Sequence, residues 1–403
     1  MSHSSPTPWL HRFALLTAGA TLVLIGIGGL VTSHEAGMSV YDWPNSYGYN
    51  MFLFPVSKWI GGIFYEHSHR LAASVVGLLT TILCLWLWVR ETRSRQRWLG
   101  IGVIAAVILV MGVRQLPVFI ALAVAAPIAI VFSADRIRRE PTSLRWWGVI
   151  AFAAVILQGV LGGLRVVLYK DEIGIFHAVL AQLFLVLLWV IALFISQWWQ
   201  NGQFLPGSIA ATSRLRQLLL LASVMIFTQL ALGATMRHQH AGLAIPDFPL
   251  AYGTLWPAMD AQSVATYNQH RMEVIAANPI TALHIGLQMV HRLLALLIFC
   301  AVCASAWIAG RELGRKHPLA KLTLIWVGLL SLQAILGAAT IWSNKAADIA
   351  TLHVLVGALS LAAGSLLATV SWRRLKVDQA AVNERAAETV FRPGNAAAAH
   401  SNP

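Results

Sequence analysis

The sequence predicts an all-α membrane protein made of two four-helix transmembrane bundles that repeat in parallel, and three observations carry that expectation. Hydrophobic residues make up 58% of the 403, charged residues only 11%, and the mean hydropathy is +0.68, a balance typical of chains solvated by lipid. Basic residues crowd alternate loops. A stretch that ends the first apolar run also returns, part for part, 205 residues later.

Taken in order, apolar runs of membrane length fall at about 13–32, 71–89, 98–113, 117–133, 147–168, 175–197, 217–236, 288–309, 319–342 and 352–372, giving about ten spans. The first follows a short polar start with no small-residue cleavage site and has a counterpart at 217–236. It is therefore expected to be a span and not a cleaved signal. The third and fourth are short for a bilayer and are joined only by Arg114-Gln115-Leu116-Pro117. They read as two thin spans in preference to a re-entrant hairpin.

Charge then orients the chain. Arg90, Arg93, Arg95 and Arg97 share one side with Arg136, Arg138, Arg139 and Arg145, with Arg214 and Arg216, and with Arg311, Arg315, Lys316 and Lys321. Adding Arg373, Arg374, Lys376, Arg12, Arg385 and Arg392, that side holds 20 of the 29 basic residues. This positive-inside pattern predicts cytoplasmic termini and an even number of spans. It accounts for the net charge of +13 without a nucleic-acid partner. Cys84, Cys300 and Cys303 all lie within expected spans, so no disulfide framework is visible, and Cys300-x-x-Cys303 reads as packing at mid-membrane.

The repeat defines the domains. Residues 28–48 align without gaps on 233–253, with Gly28/Gly233, Ala36/Ala241, Gly37/Gly242, Asp42/Asp247, Pro44/Pro249, Tyr47/Tyr252 and Gly48/Gly253 identical. An outer loop with Asp-aromatic-Pro and a Tyr-Gly stop predicts a packed lid. A second match, at an offset of 175, sets Gln158-x-x-Leu161-Gly162-Gly163 on Gln333-x-x-Leu336-Gly337-Ala338, with Gln229-x-x-Leu232-Gly233-Ala234 as a third instance. Small residues there allow close helix approach, and the glutamine can bond across helices. The expected organisation is an N-terminal half at 11–200 containing the 98–133 pair as an insertion, a C-terminal half at 213–375, and a disordered cytoplasmic tail at 376–403.

The chemistry gathers at Glu66-His67-Ser68-His69-Arg70, directly before an uncharged apolar run. Ionisable groups at the mouth of a span are expensive to place and usually functional. Gln288-Met289-Val290-His291-Arg292 repeats the pattern, and Phe176-His177-Ala178 and Leu352-His353-Val354 open two further spans. His69, His177, His291 and His353 thus stand at one depth, a pair in each half, at the outer ends of inward-running helices. Facing imidazoles in a helical bundle suit axial ligation of haem iron. A zinc site would want further cysteine or carboxylate ligands in the same shell, and the loops do offer Asp42 and Asp247. The repeat sets His69 on His291 and His67 on Met289, which selects His69 as the ligand. Arg70 and Arg292 suit the charge of haem propionates. His34, His238, His240, His270 and His284, in or near the outer loops, are given no role.

The halves differ at one informative position. Glu66, one helical turn before His69, has Gln288 as its counterpart. A carboxylate beside one site and an amide beside the other suggests chemistry in the first half and electron supply in the second. The simpler alternative is that Glu66 supports a ligand imidazole through a hydrogen bond.

These motifs, with Gly174-Ile175-Phe176-His177-Ala178-Val179-Leu180-Ala181-Gln182 and Ala241-Gly242-Leu243-Ala244-Ile245-Pro246-Asp247-Phe248-Pro249, make the sequence resemble the haem A synthase family over most of residues 11–375. The resemblance implies an oxidoreductase that converts haem O to haem A for cytochrome oxidase, turning the C8 methyl into a formyl group by successive hydroxylations. It implies that His291 and His353 hold a haem b cofactor, that His69 and His177 bind the substrate haem, and that Glu66 is essential to the reaction. It further implies a bacterial inner-membrane enzyme with haem sites near the outer face. Its partners would be the lipid bilayer, haem O synthase as substrate donor and a separate electron donor, and a homo-oligomer is compatible with it. The chain departs from the family in lacking the outer-loop cysteine pair of many members and in exceeding the usual eight spans. Two other classes compete: a dihaem electron-transfer cytochrome b, which would place ligands at two depths, and a parallel-repeat transporter using histidines as proton relays.

Overall fold

The computed structural model describes residues 8–113, 115–201, 212–270 and 279–372. The expected tail at 376–403 and most of the linker between the halves lie outside the described residues. The helices are α1 (Pro8–Ser33), α2 (Gly62–Glu91), α3 (Ser94–Met111), α4 (Leu116–Arg139), α5 (Arg145–Val167) and α6 (Asp171–Ile195). They continue with α7 (Gln197–Gln200), α8 (Ser213–His238), α9 (Ala261–Gln269), α10 (Ala282–Glu312), α11 (Pro318–Trp342) and α12 (Ala347–Ser371). All but α7 and α9 are long and apolar enough to cross a membrane, and among the described residues the only sheet is a two-stranded hairpin, β1 (Asn45–Ser46) with β2 (Tyr49–Asn50). The chain is an all-α membrane protein. The runs at 98–113 and 117–133 are two separate helices, α3 and α4.

The helices pack as two rings. In the first, α1 contacts α2 and α6, while α5 contacts α2 and α6. In the second, α8 contacts α10 and α12, while α11 contacts α10 and α12. Each ring has its own apolar core: Leu10, Leu83, Leu188 and Ile191 lie in the first, and Leu219, Val302, Trp326 and Leu361 in the second. The rings meet along α1, α6, α8 and α12, where Ile25, Leu185 and Ala358 form a separate small core. Many large apolar side chains point outward, as lipid-facing residues must; Leu16, Val23, Leu78, Leu296 and Ile335 are examples.

The inserted pair is unequal. Helix α4 lies on α5 and buries Phe119, Leu122 and Ala126, whereas α3 buries only Ile104. At the basic end of the molecule Glu91, closing α2, accepts bonds from Ser143 Oγ at 2.8 Å and from the Leu144 and Arg145 amides at 2.9 and 3.1 Å. A carboxylate at an otherwise open helix start satisfies free N–H groups and favours the helix dipole.

The two long loops at the opposite end are packed lids. Asp42 accepts the amides of Tyr47 and Gly48 at 2.7 and 2.8 Å, and Asp247 accepts those of Tyr252 and Gly253 at the same two distances. The Tyr47 hydroxyl donates to Ser39 O, and that of Tyr252 to Ala244 O. Gly48 (φ +78°) and Gly253 (φ +76°) take the left-handed conformation that glycine adopts without strain. Asp42, Tyr47 and Gly48, identical to Asp247, Tyr252 and Gly253 of the other half, are thus the residues that build this turn.

Candidate functional site

Each of the four histidines enters from the first turns of a helix beneath a lid. His69, His177, His291 and His353 stand 7, 6, 9 and 6 residues beyond Gly62, Asp171, Ala282 and Ala347, the first residues of α2, α6, α10 and α12. All four are partly buried. In the first ring His69 and His177 face each other with ring centres 6.5 Å apart and planes at 78°. An atom held between two imidazoles by bonds of about 2.0 Å each, with the ring radius added on both sides, separates ring centres by roughly 6 Å. The gap between these rings therefore fits a bis-imidazole metal centre. In the second ring His291 and His353 are within electrostatic reach of each other.

Neighbouring helices fix the imidazoles. His177 Nδ1 lies 3.2 Å from Gln158 O, and His353 Nδ1 lies 3.1 Å from Gln333 O. A carbonyl can only accept, so Nδ1 carries the proton and the Nε2 lone pair is left for a ligand bond. Gln158 Nε2 in turn donates to His177 O at 3.1 Å, and Gln229 Nε2 to His291 O at 2.9 Å. The buried Nδ1 atoms of His69 and His291 have no hydrogen-bond partner among the described residues. Those two rings are placed by packing alone.

A glycine backs every ring. A Cβ at Gly28 would meet His69 Cε1 at 3.1 Å, and one at Gly162 would meet His177 Cε1 at 3.2 Å. The equivalent distances are 3.4 Å from Gly233 to His291 and 3.1 Å from Gly337 to His353. The recurring Gln-x-x-Leu-Gly pattern therefore does more than let helices approach. Its glycine seats an imidazole edge, and in α5 and α11 its glutamine carbonyl holds Nδ1.

The acidic and basic residues beside the histidines turn toward the lids. Glu66 accepts the Val40 amide at 2.7 Å and Arg70 Nη2 at 2.6 Å; both side chains are buried. Arg70 also donates to Asp42 O, Asn45 O and Val40 O at 2.6, 2.8 and 2.7 Å. In the second ring Gln288 accepts the Ile245 amide at 2.7 Å and donates to Ile245 O at 3.2 Å. Arg292 donates to Asp247 O at 2.6 Å and Leu250 O at 2.9 Å. Two expectations shift accordingly. Glu66 bonds the lid and not a ligand imidazole. The Nη groups of Arg70 are engaged by lid carbonyls and the carboxylate, so it reaches the space between the histidines through charge more than through free donors.

His67 points to another face, as expected. It is buried between Phe54 and Trp59 and bonded to Ser46 Oγ at 3.1 Å. Asp42 and Asp247, the carboxylates a zinc reading would need, are committed to their own turns. The structure adds residues that the sequence did not single out. Arg165, at the lid end of α5, lies within electrostatic reach of His69 and His177 and pairs with Asp171 at 2.9 Å. His238 stands against Gly174, across the boundary between the rings. Arg237 crosses the same boundary. The only hint in the sequence was that Arg165 and Arg237 align with threonines, Thr340 and Thr32, in the other half.

The Trp43 ring lies over Gly163 of α5 and against Phe119 of the inserted α4, with ring centres 4.6 Å apart. Phe248, its counterpart, instead meets Trp342 of α11 at 6.2 Å. The insertion thus braces the lid of the first ring only.

Comparison with known proteins places the chain among relatives of one kind. The heme A synthase of Novosphingobium aromaticivorans is 26% identical over 390 residues, covering 88% of this chain and 92% of that protein. The heme A synthase of Bacillus mycoides is 26% identical over 357 residues, covering 86% and 87%. That of Halalkalibacterium halodurans is 24% identical over 271 residues, covering 65% and 72%. A family model described as cytochrome oxidase assembly protein matches residues 108–364, which hold three of the four histidines and all of the second ring but the last turns of α12. The chain belongs to the COX15-CtaA family of cytochrome oxidase assembly proteins.

Proposed function

We propose that this protein is an enzyme of haem A biosynthesis, which oxidises the C8 methyl group of haem O to a formyl group by successive hydroxylations. The observation that carries the reading is the facing pair His69 and His177, spaced for an iron between them, in a family whose heme A synthase members match most of the chain. In this reading the half at 11–200 takes haem O between His69 and His177, and the half at 213–375 holds haem b between His291 and His353. When bound, haem b supplies one-electron transfer.

The chain's own groups orient and enclose. Gln158 O and Gln333 O keep the His177 and His353 rings in the tautomer that presents Nε2. Arg70 and Arg292 bring positive charge to the lid end, where the carboxylates of a porphyrin would lie, while tying each lid to its helix. Glu66 is the group that can take up a proton there. Protonation removes the charge that strengthens the bonds from Arg70 and the Val40 amide, so proton uptake at Glu66 is linked to loosening of the lid.

The positive-inside pattern supports cytoplasmic termini, with the lids and all four histidines toward the outer face of a bacterial inner membrane. Haem O synthase is the natural substrate donor, and electrons come from a separate partner. The competing reading is a dihaem cytochrome b without substrate chemistry. Extraction and chromatography of the bound haems, with and without coexpressed haem O synthase, separates the two. Haem O, hydroxylated haem or haem A is expected; haem b alone under both conditions would reject the enzyme.

A further inference from the structure

One cation bridges the two rings with no carboxylate partner among the described residues. Arg237, at the lid end of α8, donates through Nη2 to the backbone carbonyl of Gly29 and to Ser33 Oγ, both on α1 of the first ring. Gly29 follows Gly28, the seat of His69. Ser33 Oγ lies 3.4 Å from Oγ1 of Thr351, two residues before His353 on α12. Arg237 is within electrostatic reach of His353 itself. One guanidinium therefore touches the helix behind one histidine pair and stands beside the other pair.

Its hydrogen-bond acceptors are neutral. The groups that accept from it are a carbonyl and a hydroxyl, and among the described residues no carboxylate pairs with it within 4.0 Å. Nor does the repeat supply a matching charge, since the aligned residue Thr32 bonds within its own helix to Gly28 O at 3.1 Å. A partly buried cation bonded to dipoles and to no carboxylate favours any negative charge that arrives nearby. Reduction of an iron centre delivers one electron's worth of such charge, and net charge near a haem is one of the levers on its potential.

We propose that Arg237 is a positioning residue that raises the reduction potential of the haem held by His291 and His353 while anchoring that site to α1 beside His69. This rests on the assignment of a haem to that pair. A higher potential there favours arrival of an electron from an outside donor at this haem.

The test is a spectroelectrochemical titration of the haem b band in the purified full-length protein. Arg237→Gln should move the midpoint to a more negative value, and Arg237→Lys, which keeps the charge, should stay close to wild type. Lys316→Gln, at the basic end, is the control and should not move it. An unchanged midpoint in Arg237→Gln overturns the proposal, and so does an equal shift in the Gln and Lys variants, which would mean packing and not charge. Should Arg237→Gln fail to accumulate, Ser33→Asp sets a carboxylate against the guanidinium and must also lower the midpoint; no shift there overturns the proposal too. His291→Ala and His353→Ala, run alongside, separate the two failures. Retention of the haem b band in both means that the haem assignment itself is wrong.

Discussion

Glu66 and Gln288 hold the same point of the two lids: Glu66 accepts the Val40 amide at 2.7 Å, and Gln288 accepts the Ile245 amide at 2.7 Å. Val40 and Ile245 are aligned positions of the internal repeat. What distinguishes the halves is therefore the charge, not the bond, since only Glu66 also pairs with an arginine. Glu66→Gln should keep the lid bond, the fold and the haem b spectrum, because the second ring is already built that way. Formation of the formyl group should fail, with haem O or a hydroxylated haem accumulating in the extracted haem profile. Normal haem A output from this variant would reduce Glu66 to a lid clasp.

Glu66→Ala should behave differently. It strands the Arg70 guanidinium and the Val40 amide in a buried site, and removing one partner of a buried ion pair costs about 3–5 kcal/mol. Thermal melting of the detergent-solubilised protein should place Glu66→Ala well below Glu66→Gln. Equal melting of the two would show that the ion pair is not structural.

The histidine pairs give a cleaner division. His291→Ala or His353→Ala should abolish the haem b absorbance, because one axial ligand of a buried cofactor is lost. His69→Ala or His177→Ala should leave that absorbance in place and stop turnover. Loss of one and the same haem in all four variants would sink the two-site reading.

Much of this was legible in the chain. Ten apolar runs and the loop charges prescribe the spans, and the four histidines stand out because each opens a span. Less could be read about what the polar groups touch. Spacing along α2 sets Glu66 on the face of His69, but the lid folds back over that face and captures the carboxylate, a tertiary event with no local signature. Gly28, Gly162, Gly233 and Gly337 look like ordinary close-approach glycines until the imidazole beside each is visible. Arg165 and Arg237 resemble interfacial anchors at helix ends. Only the docking of one ring on the other shows Arg237 to be internal.

The lid of the second ring should show a pH signature. The Tyr252 hydroxyl donates to Ala244 O, and its ring stacks on Tyr267 at 3.5 Å. Burial, with the nearby Tyr267 and Asp247, pushes its pKa up to about 12. A raised pKa means that the folded lid holds the proton more tightly than the unfolded chain. The contribution is therefore complete below the ordinary tyrosine value near 10 and is lost as pH rises through about 12. Tyr252→Phe should lower stability by about 1 kcal/mol at neutral pH. The gap in melting temperature between wild type and variant should close across that alkaline window, and a constant gap would argue against the bond.

The glycine seats give the finest test of the site. An added methyl at Gly337 would stand 3.1 Å from His353 Cε1, and one at Gly162 would stand 3.2 Å from His177 Cε1. Such contacts are too close to leave the ring where it is, yet a shift of a few tenths of an ångström relieves them, so the helices should still pack. Both rings are also held through Nδ1 by the carbonyl of Gln333 or Gln158, and a displaced ring must stretch that bond or tilt about it. Gly337→Ala should therefore retain haem b but alter the ligand geometry, seen as a changed low-spin electron paramagnetic resonance signal. Gly162→Ala should leave that signal untouched and weaken the handling of haem O, seen as a lower ratio of haem A to haem O in the extracted pigments. If Gly337→Ala kept the wild-type signal, the ring would have to lie farther from α11 than its 3.1 Å contact requires. The glycine would then serve helix packing alone.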